Sequence, residues 1–573
     1  MNNLHCSIPD IIDLSVLGKQ YEETDKYDTN YNPYKIDKLQ LYNPLYKTLF
    51  GSDIIQEDTS TLSHKSHIID LKKVSVQVSD SKETPIFIKF SPLLDPYRYM
   101  IGKYEIDDDC IRTLPTLNIN ENTIHPKILS RHNASYVDSF FCYLSNKVLN
   151  EYNIPHGLNY YGSYLGVQEK YRVNIADDVE YLRNSKFFND NIGKHFCIED
   201  ADLDLVKNPF STMNSSRKNK LKINIDTNEI ISLDCEELPI LDIEPQSNSH
   251  DIESVYSKSP SSSRSSSTSS DSSSSDVNYS SDEDENNKKE DNDSNKDEKE
   301  DEDEDEEDED EEDEDEDEDE DEEELFGYIY NFPIQMICME KCDGTLDELF
   351  VNDSMTKENS SAMLMQIVMT ILIYQKMFKF THNDLHTNNI MYIKTDKKFL
   401  YYRFDNKVYK VPTFGKIYKI IDFGRGVYHF NGNIFCSDSF AKDGDAVTQY
   451  NCEPFFNEKR PILDPNTSFD LCRLGSSLFD FVTDIDDDEN ELDEVQQTIK
   501  RWCEDDNGKN ILYKKNGQER YPNFKLYKMI ARTVHRHTPE AQLEYDIFKQ
   551  YLTEKKVGKI QKIIDIDNLP YMG

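Results

Sequence analysis

The chain has no CxxC pair, and its eleven cysteines are scattered and odd in number. That argues against both a disulfide framework and a zinc site, and for a reducing compartment. Cys338 and Cys342 stand four apart, with no second pair or histidine cluster behind them to complete a metal site. There is also no apolar run long enough to cross a bilayer. The richest, LMQIVMTILIYQKMF at 364–378, is fifteen residues with two glutamines, and reads as a buried helix. The opening MNNLHCSIPDIIDLSVLG lacks the basic-then-apolar order of a signal peptide. No membrane association is expected, and a cytoplasmic setting is.

Acid is what the chain has in excess: 111 Asp and Glu against 64 Lys and Arg, a formal charge of −47. The excess is local. Residues 301–324 are 24 consecutive acids, 246–324 carries −32, and the rest carries −15, ordinary for a globular protein. From 246 to 324 the chain is Ser-rich, then acidic, and almost without apolar residues. Such a segment has no apolar area to offset the entropy of ordering, so disorder is expected. SSDEDE at 280–285 places acids after serines, which suits phosphorylation, and the tract's charge suits basic protein partners. No direct nucleic-acid binding is expected.

The tract separates two foldable parts, 1–245 and 325–573. In the first, KKVSVQV (72–78) and PIFIKF (85–90) flank SDSKET and read as a hairpin. YVDSFFCYLSNKVLNEY (136–152) has apolar residues at 137, 140, 141, 144 and 148, a helical stripe, with Asn133 and Ser135 as cap candidates. Residues 157–175 are strand-like, and KLKINIDTNEIISL (220–233) reads as a small hairpin. In the second part FPIQMICME (332–340) is a short strand. KCDGTLDELF turns into a helix capped by Asp343 or Thr345. Residues 360–380 form a long apolar helix. MYIK (391–394), the pair FLYYRF and KVYKVP, and YKIIDFG (418–424) are strands, and 468–573 is mostly helical by pattern.

Phosphoryl transfer from a nucleotide needs a cation on the phosphates, oxygens that hold a metal, and a carboxylate near the acceptor hydroxyl. THNDLHTNNI (381–390) supplies HxDxxxxN as His382, Asp384 and Asn389, and 33 residues after Asn389 comes Asp422–Phe423–Gly424 at the end of an apolar strand. Gly424 lets the backbone turn beside a carboxylate of the kind that binds metal.

These residues resemble a known family. HNDLHTNN is similar to the catalytic-loop pattern HRDxxxxN of protein kinases, and IIDFG to their DFG strand. IFIK resembles VAIK, MICMEKCDGTL the segment joining the two lobes, and SFDLCRLGSSLF the helix that opens D-x-W-x-x-G. In this order the chain resembles a divergent eukaryotic-type protein kinase, most like those of large, mimivirus-like DNA viruses, over most of 70–175 and 325–485. The resemblance implies an α+β, bilobal fold with a small β-rich lobe, a larger helical lobe and a long disordered acidic insertion. The boundaries it implies are an N-terminal extension (1–65), the small lobe (66–175), a partly structured insertion (176–245) and the tract (246–325). The last small-lobe strand and hinge follow (326–345), then the large lobe (346–573). It implies ATP and Mg²⁺ as cofactors and a protein substrate phosphorylated on Ser/Thr. Asp384 would take or orient the acceptor proton, Asn389 and Asp422 would hold Mg²⁺, and Lys89 would bind phosphates. Backbone groups of Glu340 and Cys342, after Met339, would meet adenine. His382, Gly424 and Asp470 would support the loops, and Asp138 or Glu151 would pair with Lys89, Asp138 being preferred.

The chain departs from this pattern in four places. No GxGxxG precedes Lys89, since Gly51 is the only glycine between Gly18 and Gly102. Asn383 stands where the family has Arg, which removes the cation that pairs with a phosphorylated activation segment. His386 stands where Ser/Thr kinases have Lys, as in small-molecule kinases. NCEPFF (451–456) is a poor match to APE. Two alternatives follow: a pseudokinase whose acidic arm recruits basic partners, and a small-molecule kinase.

Overall fold

A strand that alternates inward and outward side chains needs partners for its backbone on both edges, and here those partners come from distant parts of the chain. The computed structural model describes residues 4–7, 11–24, 31–51, 60–63, 68–72, 75–78, 83–104, 108–118, 121–176, 179–198, 252–256, 325–352, 354–483, 490–522, 524–554 and 562–573. All of them belong to one compact unit formed by 1–261 and 324–573.

The main sheet contains β1 (Ile36–Gln40), β2 (Ile86–Pro92), β3 (Tyr160–Asn174), β4 (Ile252–Tyr256) and β5 (Phe326–Glu340), in the order β4–β2–β5–β3–β1. Phe196–Ile198 also pairs with β5. β5 is central and antiparallel to both β2 and β3, with Ile337 opposite Lys89. The hairpin expected between 72–78 and 85–90 needs correction. Ser75–Val78 pairs with Ile68–Lys72 and with Glu83–Thr84 in a separate three-stranded ladder. The Lys89 strand instead takes β5 as its partner, because a strand with Ile86, Ile88 and Phe90 fully buried needs neighbours that bury it. Within the tract expected to be disordered, residues 252–256 are described and form β4, whose backbone runs parallel to β2. The hairpin expected at 220–233 and the acidic run lie outside the described residues.

The helix α1 (Ala134–Glu151) begins at Asn133, whose side chain accepts the Ser135 amide. After β5, Thr345 caps α2 (Leu346–Val351) in a capping box with Glu348, settling the choice between Asp343 and Thr345. α3 (Lys357–Phe378) is the one described helix long and apolar enough to cross a membrane, and 94% of its most apolar window is buried inside the protein. It ends on Lys379 at φ 48°, the left-handed closure that stops a helix and redirects the chain.

Next come β6 (Ile390–Lys394), β7 (Phe399–Phe404), β8 (Lys407–Pro412) and β9 (Lys416–Ile420). Asp405 and Asn406, both at positive φ, make the two-residue turn between β7 and β8. β6 and β9 pair antiparallel, Ile390 opposite Ile420, which brings the end of the 381–390 stretch beside the segment before Asp422. The C-terminal part contains α4 (Phe469–Val482), α5 (Glu494–Trp502) and α6 (Lys525–Thr533), with two single-turn helices after them. It is less helical than the pattern suggests; turns and isolated bridges fill much of 504–522.

An aromatic cluster ties these elements together. The Phe141 ring of α1 stacks on Phe380 at 4.2 Å and meets Phe423 at 4.6 Å and Tyr374 of α3 at 5.2 Å. Each such pair contributes about 0.5–1.5 kcal/mol beyond its buried area. The packing fixes the loops on either side of it.

Candidate active site

Lys89 projects from the middle of β2 and is 7% exposed. Its Nζ lies 2.8 Å from Asp138 Oδ2 and 2.9 Å from Asp422 Oδ1. Asp138 stands in the second turn of α1, whose start lies against the end of β2 through Ser135 Oγ and the Pro92 carbonyl at 2.7 Å; Glu151, the other candidate, lies at the far end and pairs with Lys147. The second Asp138 oxygen accepts the Phe423 amide at 2.9 Å, so one buried carboxylate joins strand, helix and the 421–424 turn. Burial works against the Lys89 ammonium, yet the two carboxylates overcome it and hold its pKa above the ordinary lysine value. Burial likewise pushes the Asp422 carboxyl up, and Lys89 more than reverses this, leaving it below its usual value. Asp422 sits at φ 60°, a backbone state that Asp tolerates. Gly424 donates its amide to Asp422 Oδ1 at 3.4 Å, and a Cβ there would stand 3.3 Å from that same oxygen.

The 381–390 stretch is held from below by Asp470 in the first turn of α4. Its fully buried carboxylate accepts the His382 amide (2.9 and 3.1 Å) and the Asn383 amide (2.9 Å). The His382 Nδ1 accepts the Asp384 amide at 3.3 Å, so Nε2 carries the proton and donates to the Ile421 carbonyl at 2.8 Å. His382 is therefore a strut between the two loops. Asn383, at φ 65°, turns its side chain inward, donating to the Arg425 carbonyl (2.9 Å) and accepting the Tyr450 hydroxyl (2.7 Å).

Asn389 uses its Nδ2 twice, donating to the Asp384 carbonyl at 2.9 Å and to His386 Nε2 at 3.1 Å. Burial holds His386 down to about 4, so its imidazole is neutral and can accept. Both amide hydrogens are thus committed, and the amide orientation leaves Oδ1 as the atom free to bind a ligand. Asp384 is 2% exposed. Its Oδ1 accepts the Tyr527 hydroxyl at 2.7 Å and lies 3.9 Å from Arg473 Nε, while Oδ2 lies 4.0 Å from Arg425 Nε. Burial raises this carboxyl, but Arg425, Arg473 and the Tyr527 hydrogen bond bring it below its ordinary value.

Lys89, Asp138, Asp422, Gly424, His382, Asp384, Asn389 and Asp470 thus form one connected network. No family model matches the chain, and no curated protein matches it.

Glu340 and Cys342 lie at and just past the end of the central strand β5. The Glu340 amide donates to the Asn159 carbonyl at 3.0 Å, and its carboxylate is held by Asn159 and by the buried Lys419. No hydrogen bond within the described protein takes the backbone N–H or C=O of Cys342. Among the described residues no group of three or more His, Cys, Asp or Glu side chains forms a metal cage.

The sequence reading missed Arg425, Arg473, Tyr450, Tyr527 and Lys419. Two had a local signal, since Arg425 follows Gly424 directly and Arg473 stands one helical turn after Asp470. Tyr527 had none.

Proposed function

We propose that the chain is a protein kinase that transfers the γ-phosphate of ATP to serine and threonine hydroxyls, with Mg²⁺ as its ion. In this reading β1–β5 and α1 make the smaller lobe, and the helices from α2 onward the larger one. The observation that carries it is the network itself. A lysine, two carboxylates that share it, an asparagine with its oxygen left free, and a further buried carboxylate converge from β2, α1, 381–390 and 421–424.

The residues fit the ion. Asn389 Oδ1 and Asp422, whose side chain is 26% exposed, offer two hard oxygens, and Mg²⁺ characteristically takes one or two protein ligands beside phosphates and water. Bound there, the ion would neutralise phosphate charge. Lys89 would bind the α- and β-phosphates, its charge secured by Asp138. The free backbone groups of Cys342, with the Glu340 carbonyl, would meet adenine. Asp384 would accept the proton of the acceptor hydroxyl as its oxygen bonds to the γ-phosphorus and the bond to the ADP oxygen breaks. With its pKa held low, Asp384 acts mainly by orienting the hydroxyl, which suits a reaction governed by positioning and electrostatics.

The test is transfer from γ-labelled ATP to protein and peptide acceptors with Mg²⁺. It compares the wild type, Asp384→Asn and a chain lacking 262–323. Transfer by the wild type, reduced about 10²–10⁴-fold in Asp384→Asn, is expected. A wild type that labels neither itself nor any acceptor, and whose melting is unmoved by Mg-ATP, defeats the reading. The near-complete burial of Asp384 favours a second reading, a binding module: Mg-ATP would then shift melting without transfer.

A further inference from the structure

Asp384 is covered by an element that belongs to none of the recognisable motifs. α6 contributes Tyr527, 5% exposed, whose hydroxyl donates to Asp384 Oδ1 at 2.7 Å and accepts from Arg473 Nε at 3.0 Å. The ring stacks on Phe524 with centroids 5.3 Å apart, and the Arg425 guanidinium lies 5.6 Å from it. α6 is tied to its neighbours at its far end, where Arg532 Nη2 donates to the Thr448 carbonyl and the Thr533 carbonyl accepts the Asp506 amide, both at 2.8 Å. It has nine residues, no side-chain cap at its start, and three buried side chains, Tyr527, Ile530 and Ala531.

A carboxylate that receives the proton of an acceptor hydroxyl must offer an oxygen at about 2.6–3.2 Å. At Asp384 Oδ1 that distance is already taken, and by the same functional group the acceptor would bring, while Oδ2 has Arg425 Nε at 4.0 Å. With 2% of Asp384 exposed, the Tyr527 phenol is part of the cover over this carboxylate. We propose that Tyr527 sets acceptor selection by occupying the acceptor's place. A hydroxyl substrate reaches Asp384 Oδ1 by displacing the Tyr527 phenol, so substrates whose further contacts outweigh that internal hydrogen bond are admitted there and water is held out. The proposal rests on the phosphotransfer reading above.

Tyr527→Phe tests it, because it removes the competing hydroxyl and keeps the ring. Acceptor-free ATP hydrolysis is expected to rise about fivefold, the weight of one net hydrogen bond, and KM for a serine or threonine peptide chosen from an arrayed library to fall by a similar factor. Unchanged hydrolysis, or a kcat reduced tenfold at constant KM, overturns the proposal and makes Tyr527 a strut for Asp384. Hydrogen–deuterium exchange of the wild type gives an independent arm. Exchange across 525–533 is expected to quicken when the peptide is added at saturation with β,γ-imido-ATP, and exchange that stays the same overturns displacement. Transfer absent from the wild type and Tyr527→Phe alike defeats the phosphotransfer reading itself, an outcome distinct from transfer that ignores the substitution.

Discussion

The two ends of the candidate site use the same residue types and differ in how they are closed. At one end Lys89 is shared by Asp138 and Asp422, and Asp422 keeps a quarter of its side chain exposed. At the other, Asp384 faces Tyr527, Arg473 and Arg425 and is sealed. In both, burial alone would raise the carboxyl and neighbouring cations bring it down. The cation at the first end comes from the sheet and leaves an oxygen facing outward. At the second the cations come from α4 and from the residue after Gly424, and a tyrosine fills the remaining space. Charge compensation is therefore separable from access: one arrangement holds a carboxylate ready, the other holds it in reserve.

Three measurements would break or sharpen that contrast. The largest effect is expected at the open end. Lys89→Met leaves Asp138 and Asp422 facing each other without their cation and should cost about 3–5 kcal/mol in urea unfolding, with much of the loss recovered by adding Asp138→Asn. A loss under 1 kcal/mol would mean that water enters freely and the triad is not closed. At the sealed end, Asp470→Ala strips the acceptor from the His382 and Asn383 amides. A cost of about 2–4 kcal/mol is expected from two unpaired buried donors, together with faster amide exchange confined to 381–390. Uniform acceleration would show that the loop has no separate support.

The smallest effect belongs to His156, which serves neither end. It is fully buried between the Tyr418 carbonyl (2.8 Å) and the Tyr402 hydroxyl (2.7 Å), and burial lowers it to about 4. The unfolded chain takes up this proton near pH 6.5 and the folded chain only near 4. Stability from His156 is therefore complete above about 6.5 and lost as pH falls towards 4. The penalty of His156→Gln should shrink by about 2 kcal/mol between pH 7.5 and 5 in paired unfolding curves. A constant penalty would mean that the folded protein protonates His156 as readily as the unfolded chain.

What was legible in the sequence was whatever a short spacing encodes. HxDxxxxN and the Asp422–Gly424 turn are local, so the residues of each loop could be named, and the helix stripe at 137–148 placed Asp138 on α1. What was not legible depends on contacts between distant segments. Composition predicts that 85–90 is a strand, but its partner is chosen by burial against β5, roughly 240 residues onward, and not by proximity to 72–78. Asp138 prevails over Glu151 because the start of α1 lies against the strand that carries Lys89, with Ser135 bonded to Ser91 and Pro92, a fact of packing direction. Tyr527 lies 143 residues from Asp384 on a helix whose sequence carries no chemical pattern. Arg425 and Arg473 stand beside motifs that could be named, but that both approach Asp384 depends on how the loops fold together.

The edge between β3 and β5 has a consequence for the chain's history. Ile175 donates its amide to the Leu325 carbonyl at 2.7 Å, just past the last ladder pair, Asn174 opposite Phe326. Everything from 176 to 324 therefore leaves and re-enters at two residues that already touch, as if the turn of one hairpin had been opened and material threaded in. Closing such an excursion costs only about 0.6 kcal/mol more each time its length doubles. Two pieces of the excursion return to the sheet, Phe196–Ile198 on β5 and β4 on β2, so its length can vary between those returns while the β3–β5 ladder stays closed at Asn174 and Phe326.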